Sequence, residues 1–269
     1  MADDATIISV NAAVRDEFLR VCRVNSAITD GVDADMDAAA ERFGEFAGFL
    51  LAENEKYNLT AIKAPADIAQ KHLFDSITPT PYIPRGASLL DIGSGAGFPA
   101  LPLAVVRPDI TALAVDATAK KTAFINAAAE RLGLHNLNAV TGRAEELIKS
   151  PGMRSGFDVV TARAVSPMRI LAELCAPYLS HGGLLIAMKG APDTAAAEAA
   201  EAAPTARAVG LSLARQIDIS VYPGDCGKSD ISADTRTLRR TLLIYEKTSP
   251  TPPCYPRRYS QILKDAGKK

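Results

Sequence analysis

Tryptophan is absent from this chain of 269 residues, histidine occurs only three times, and the four cysteines form no Cys-x-x-Cys pair. Without His/Cys clusters at ligand spacing no metal centre is expected, and Cys22, Cys175, Cys226 and Cys254 read as structural thiols rather than a disulfide framework. Long apolar runs are missing as well: the stretches 101–106 and 184–188 are far too short to cross a bilayer. The N-terminal residues carry Asp3, Asp4, Asp16 and Glu17 with no uninterrupted apolar segment, which argues against a secretory signal and makes the cytoplasm the expected location. No heptad repeat is visible, and a monomer is expected.

Nor is there an excess of charge, since the formal net charge is −1. Its distribution is uneven, however. Residues 1–55 hold twelve acidic residues against Arg15, Arg20, Arg23 and Arg42, whereas residues 236–269 hold nine basic residues against Glu246 and Asp265. A chain polarised in this way can present a basic surface to a polyanion while staying near neutral overall; a solubilising tail is the alternative.

What the chain does contain is an alternation of elements. Strands are expected at residues 88–92, 111–115, 138–141, 158–162, 184–188, 216–221 and 240–245, and helices at 100–106, 120–132, 144–148, 168–179 and 194–203. Such a run fits a buried parallel sheet with right-handed crossovers. The connection 223–234, rich in Gly, Asp and Ser, suggests that the last two strands form an antiparallel edge. Upstream, a helix is expected from Met36, capped by Asp35, and another from Pro65 to about Ser76. Residues 1–34 show a helix only around 12–24 and end in an acidic stretch, so they are expected to be a flexible extension. Residues 248–269 hold Pro250, Pro252, Pro253 and Pro256 and are expected to lack a regular element.

The run at 88–92 leads directly into Gly93-Ser94-Gly95-Ala96-Gly97 and then a helix. Glycines at a strand-to-helix turn permit the bend and let backbone N–H groups approach a ligand. A glycine-rich turn with no ligand is the competing reading. Dinucleotide enzymes place a small residue at the sixth position of their motif, but Phe98 stands there, and the third glycine comes one residue early, at Gly97. This GxGxG spacing suits S-adenosylmethionine better than a pyrophosphate. Asp116 ends the next strand, where an acid can accept hydrogen bonds from both ribose hydroxyls; a helix cap ahead of Lys120 is the alternative. Gly142-Arg143-Ala144-Glu145 follows the third strand, where a side chain can meet the adenine.

With these residues, Asn58-Leu59-Thr60, Lys71-His72-Leu73-Phe74-Asp75-Ser76, Phe98-Pro99, Ala162-Arg163-Ala164 and Met188-Lys189-Gly190 form an ordered set. Over roughly residues 40–265 the chain resembles the bacterial small-subunit (16S) ribosomal RNA methyltransferase G family, whose members methylate N7 of a guanine. The resemblance implies an α/β fold, that of a Rossmann-like class I S-adenosylmethionine-dependent methyltransferase, with a seven-stranded, mostly parallel sheet, an antiparallel edge and an N-terminal helical cap. Read with the element pattern above, the chain divides into an extension (1–34), which the resemblance does not reach, the cap (35–85), the methyltransferase domain (86–247) and a basic Pro-rich tail (248–269). Cofactor contacts are implied at Gly93, Phe98, Ala144, Glu145 and Arg163, joined by Gly95, Gly97 and Asp116 from the loop and strand reading. The implied partner is 16S rRNA or the small ribosomal subunit. Two departures stand out: Ala100 replaces the family's usual glycine, and the ending Tyr255-Pro256-Arg257-Arg258-Tyr259-Ser260 lacks the glycine that follows in the family.

Methyl transfer to N7 needs no general base, because that nitrogen carries a lone pair and no proton. Arg163 and Lys189, ending the fourth and fifth strands, are the candidates for catalytic roles: Arg163 for the methionine carboxylate or a phosphate, Lys189 for RNA or else as a solvated lysine. His72 reads as a packed or capping histidine and Asp75 as a local hydrogen-bonding residue. Lys120 and Lys121 open a helix where the dipole disfavours cations, which suggests phosphate contact. Arg257, Arg258 and Lys264 suit a flexible arm that neutralises phosphates. Phe98, Tyr255 and Tyr259 are candidates for base stacking, with packing as the alternative.

Overall fold

In the computed structural model, which describes residues 4–29, 32, 34–225 and 236–265, the strands are β1 (Ser88–Ile92), β2 (Thr111–Asp116), β3 (Leu137–Thr141), β4 (Phe157–Arg163), β5 (Leu179–Lys189), β6 (Leu211–Val221) and β7 (Leu238–Lys247). They form one sheet in the order β3-β2-β1-β4-β5-β7-β6. β1 to β5 are parallel, and β7 lies antiparallel between β5 and β6. This is the doubly wound, Rossmann-like arrangement expected, with its antiparallel edge. β5 and β6 each begin five residues earlier than expected, at Leu179 and Leu211: in β5 the segment Ser180-His181-Gly182-Gly183 carries no apolar signal, and in β6 the added residues 212–215 are exposed and show no buried face. β6 is an edge strand whose side chains are mostly exposed.

Alternation along β1 builds two cores. Leu89 joins the layer that holds Phe98, Leu101 and Ile125, while Leu90 and Ile92 join the layer that holds Met168, Leu171 and Tyr178. The first layer contains α1 (Asp4–Val24), α2 (Met36–Tyr57), α3 (Ala100–Val106) and α4 (Ala119–Arg131); the second contains α5 (Ala144–Leu147), α6 (Met168–Cys175) and α7 (Pro192–Ala208).

The N-terminal region differs from the flexible extension expected. Val10, Val14, Phe18 and Val21 form an apolar stripe along α1, and the last three are buried against α2. The ring of Phe18 meets Phe43 edge-on at 4.8 Å and 73°. Asn25 then clamps the far end of the sheet, donating through Nδ2 to the Tyr222 carbonyl and accepting from the Tyr222 N–H, both at 2.9 Å. The helix expected around 12–24 is therefore present, but it starts earlier, at Asp4, and is packed on the first layer. Of the acidic stretch after it, Asp30, Gly31 and Asp33 lie outside the described residues. Asp35 caps α2 as expected, its Oδ1 accepting from Asp37 and Ala38 N–H at 3.0 Å.

The helix expected from Pro65 is present but not uniform. Residues Ile68–Phe74 form a π-helix between short α-helical ends. The wider turn adds a residue, burying Ile68, Leu73 and Phe74 while Lys71 and His72 face the ends of the parallel strands. The tail also departs from expectation, for α8 (Tyr259–Asp265) forms there and buries Ile262 in the second layer. Cys22 and Cys175 are buried free thiols and Cys254 is exposed; Cys226 and the connection 226–234 lie outside the described residues. Among the described residues no helix is long and apolar enough to cross a membrane.

Candidate active site

Beyond β1 the chain turns sharply and is held from β2: the N–H groups of Gly93 and Ser94 both donate to the Val115 carbonyl, at 2.8 and 3.0 Å. Gly93 has φ +75°, and a Cβ there would lie 2.5 Å from Val165 Cγ2, so the loop can meet the turn after β4 only without a side chain. Gly95, at φ +59°, has nothing within 4 Å of where its Cβ would be, and it lines a cleft of about 250 Å³. Gly97 does not line that cleft; its Cα faces Leu101 and Ile125.

Asp116 stands at one end of the cleft. Its Oδ2 accepts from Gly95 N–H at 3.1 Å and its Oδ1 from Thr118 N–H at 2.9 Å, tying the glycine loop to the start of α4. Lys121 Nζ lies 3.6 Å from Oδ2, so this lysine balances the carboxylate on the cleft wall, while Lys120 is exposed. Ala144 and Glu145 are not on this wall. The Ala144 carbonyl accepts from Tyr178 Oη at 2.6 Å, and Glu145 borders a separate surface cavity with Arg257 and Arg258.

At the other end Arg163 is held on three sides. Its Nη1 donates to the Lys71 carbonyl at 3.1 Å and to Asp75 Oδ2 at 3.0 Å, and Nη2 lies 3.4 Å from His72 Nδ1. Asp75 is 1% exposed, and its second oxygen accepts from Arg240 Nε at 3.2 Å, so one buried carboxylate joins the ends of β4 and β7. Ala164, with φ +55°, turns the chain away immediately after Arg163. A non-glycine residue in that region is strained by about 1–2 kcal/mol, and such strain clusters at functional sites.

Phe98 is covered rather than available for stacking on a base. His72 stacks on its ring at 4.4 Å and 14°, Phe46 meets its edge at 5.6 Å, and the Arg163 guanidinium lies 5.1 Å from its centre. His72 in turn shares a 2.8 Å hydrogen bond with Thr60 Oγ1. Burial, aided by the Arg163 cation, pulls its pKa down to about 4, so the ring is neutral at pH 7. The folded value lies below the unfolded one of about 6.5. The stability linked to neutral His72 is therefore complete above the unfolded value and is lost as pH falls toward 4. With three histidines in the chain, the imidazole NMR titration of His72 is expected to have its midpoint near pH 4 and to shift upward in Arg163→Met. A midpoint above 6 would contradict this burial.

A second cleft, about 620 Å³, shares His72, Arg163 and Ala164 with the first and continues to Lys71, Lys189, Glu198 and Arg240. Lys189 is not a free cation for RNA. Its Nζ donates to Glu198 Oε2 and to the Ser166 carbonyl, both at 2.8 Å, and its side chain is 9% exposed. It anchors the 164–167 turn.

The tail arginines are likewise divided. Arg257 gives Glu173, itself 1% exposed, three hydrogen bonds, from its backbone N–H, Nε and Nη2, at 2.8, 2.9 and 2.7 Å, and also pairs with Asp265. It is a structural clamp, not part of a flexible arm. Arg258 and Lys264 are exposed. Tyr255 and Tyr259 are half-buried, beside the Arg257 and Arg143 guanidinium groups respectively. Asp75, Arg240 and Glu198, together with His72 in a role beyond packing, are the site residues that sequence reasoning missed. The His72-x-x-Asp75 spacing was a usable signal, whereas nothing in the sequence around Arg240 or Glu198 pointed to the cleft. Among the described residues no group of His, Cys, Asp or Glu could hold a metal ion.

A family model described as rRNA small subunit methyltransferase G matches residues 39–216. A protein of Deinococcus radiodurans named ribosomal RNA small subunit methyltransferase G is 39% identical over 235 residues, covering 85% of this chain and 86% of that one. One of the same name from Brevibacillus brevis is 37% identical over 224 residues, covering 82% and 88%.

Proposed function

The chain belongs to the rRNA small subunit methyltransferase G family, and from that premise we propose that it transfers a methyl group from S-adenosylmethionine to N7 of a guanine in 16S ribosomal RNA. The junction of the two clefts at His72, Arg163 and Ala164 carries the reading, because it offers a donor and a flat acceptor base a common wall.

The residues of the first cleft fit the cofactor. Gly95 leaves open the space that a Cβ would fill, and Asp116 has carboxylate lone pairs for ribose hydroxyls. Arg163 keeps N–H donors beyond those given to Lys71, Asp75 and His72, which suit the methionine carboxylate. When bound, S-adenosylmethionine supplies an electrophilic methyl group on a sulfonium. The chain's task is then alignment and exclusion of water rather than proton transfer, which matches a neutral His72 and a wall of packed rings. The carboxylates of Asp75 and Glu198 offset the cations around the second cleft, so that a base gaining positive charge is tolerated there. Lys120, Arg258 and Lys264 are exposed and available to RNA phosphates. The substrate implies a cytoplasmic location.

Asp116→Ala is expected to weaken S-adenosylmethionine binding by about 1–3 kcal/mol, the scale of leaving buried polar partners unmatched. Unchanged affinity by calorimetry would remove Asp116 from the ribose site. The function itself is tested by mass spectrometry of 16S rRNA from cells with and without the protein. Loss of one N7-methylguanine is expected, and an unaltered methyl inventory would refute the reading.

A further inference from the structure

A guanine whose N7 faces the cofactor cleft turns its 2-amino group toward the opposite side of the base. Lys189 and Glu198 line the second cleft but not the first, so they stand on the side remote from the methyl donor. Two carboxylates border this cleft. Asp75 has both oxygens engaged, by Arg163 and Arg240. Glu198 is held at one oxygen only: Oε2 accepts from Lys189 Nζ at 2.8 Å and from Met168 N–H at 2.9 Å. Its Oε1 accepts no hydrogen bond among the described residues, and its side chain is 27% exposed. The carboxylate is thus fixed in direction and open toward the cleft.

We infer that Glu198 determines the base specificity of this site, its Oε1 accepting a hydrogen bond from the 2-amino group of guanine. Adenine and hypoxanthine carry only C–H at that ring position and leave the carboxylate without a partner, which is how a polar site rejects an analogue lacking the matching group. The contact also favours the reaction. As N7 acquires a methyl group the ring becomes positive, the 2-amino group becomes a stronger donor, and the hydrogen bond strengthens toward the transition state. Lys189 acts here as a positioning residue, because it sets the rotamer of Glu198 from the end of β5.

This inference rests on the function proposed above, and the test separates the two. Full-length protein saturated with S-adenosylhomocysteine is titrated with guanosine and inosine 5′-monophosphates by NMR, for the wild type, E198Q and E198D. The wild type is expected to prefer the guanine nucleotide about tenfold or more, the scale of one hydrogen bond to a charged group. In E198Q the single carbonyl oxygen is claimed by Lys189 Nζ and Met168 N–H, which turns the NH2 toward the cleft, and the two nucleotides should come within about twofold of each other with S-adenosylhomocysteine affinity unchanged. E198D keeps the charge beside Lys189 but withdraws the carboxylate by one methylene, and should also reduce the preference. A wild type that does not discriminate, or a folded E198Q or E198D that keeps the full preference, overturns the inference. If the wild type restores the 16S methyl group while showing no such preference, this inference alone fails. If it restores no methyl group, the proposed function fails and the inference with it.

Discussion

Replacing Arg257 with alanine is expected to lower the free energy of unfolding by about 3–5 kcal/mol, the cost of leaving one partner of a buried ion pair uncompensated. Glu173 is 1% exposed and receives three hydrogen bonds from Arg257, one of them from its backbone N–H. Truncation therefore removes the counter-charge and both side-chain donors, leaving the buried carboxylate only the backbone N–H of residue 257, and it loosens α8, whose Ile262 is buried in the second layer. Arg257→Lys keeps the charge but loses the paired donors and should fall between the two. Urea unfolding followed by circular dichroism measures the difference. A loss under about 1 kcal/mol would match an exposed pair instead and return Arg257 to the role of a phosphate-binding arm.

Asp75→Ala is expected to act mainly on catalysis. The carboxylate holds Arg163 and Arg240 together, and both arginines line the second cleft. Misplacing a positioning group by about 1 Å can cost roughly 100-fold in rate, and kcat/KM for methyl incorporation should fall on that scale. Stability should fall by about 3 kcal/mol, at the low end for a broken buried pair, because the Arg240 side chain is 28% exposed and can turn to water. Asp75→Asn keeps one acceptor and should retain more of both. Wild-type kcat/KM in a folded Asp75→Ala protein would show that Arg163 is held well enough by Lys71 and His72.

The contrast between these residues and the glycine loop explains what was legible in the sequence. Gly93, Gly95 and Asp116 act through backbone turns and a strand end, and such features leave a contiguous pattern. The seven strands were readable for the same reason, since apolar runs bounded by polar or glycine-rich segments mark their centres even where β5 and β6 extend further. Asp75, by contrast, gains its role from Arg163 and Arg240, 88 and 165 residues away. Arg257 looked like an arm because prolines surround it, yet its partner lies in a helix 84 residues earlier. Lys189 and Glu198 are only nine residues apart, but the 2.8 Å contact depends on how α7 crosses the end of β5, which spacing alone does not specify. Phe98 was informative as an exclusion, marking a loop unsuited to dinucleotides, while its burial under His72 came from the π-helix and not from any local signal.

The placement of β7 between β5 and β6 has a consequence for the order in which a ribosome delivers this protein. β6 emerges first but has no neighbour to pair with until β7 follows, because the position beside β5 belongs to the later strand. The parallel half of the sheet, with the glycine loop and Asp116, can assemble while synthesis continues. Arg240 arrives with β7, so the bridge through Asp75 to Arg163 is completed near the end of translation. The nascent chain thus completes the lining of the cleft beside the glycine loop before that of the cleft that contains Arg240.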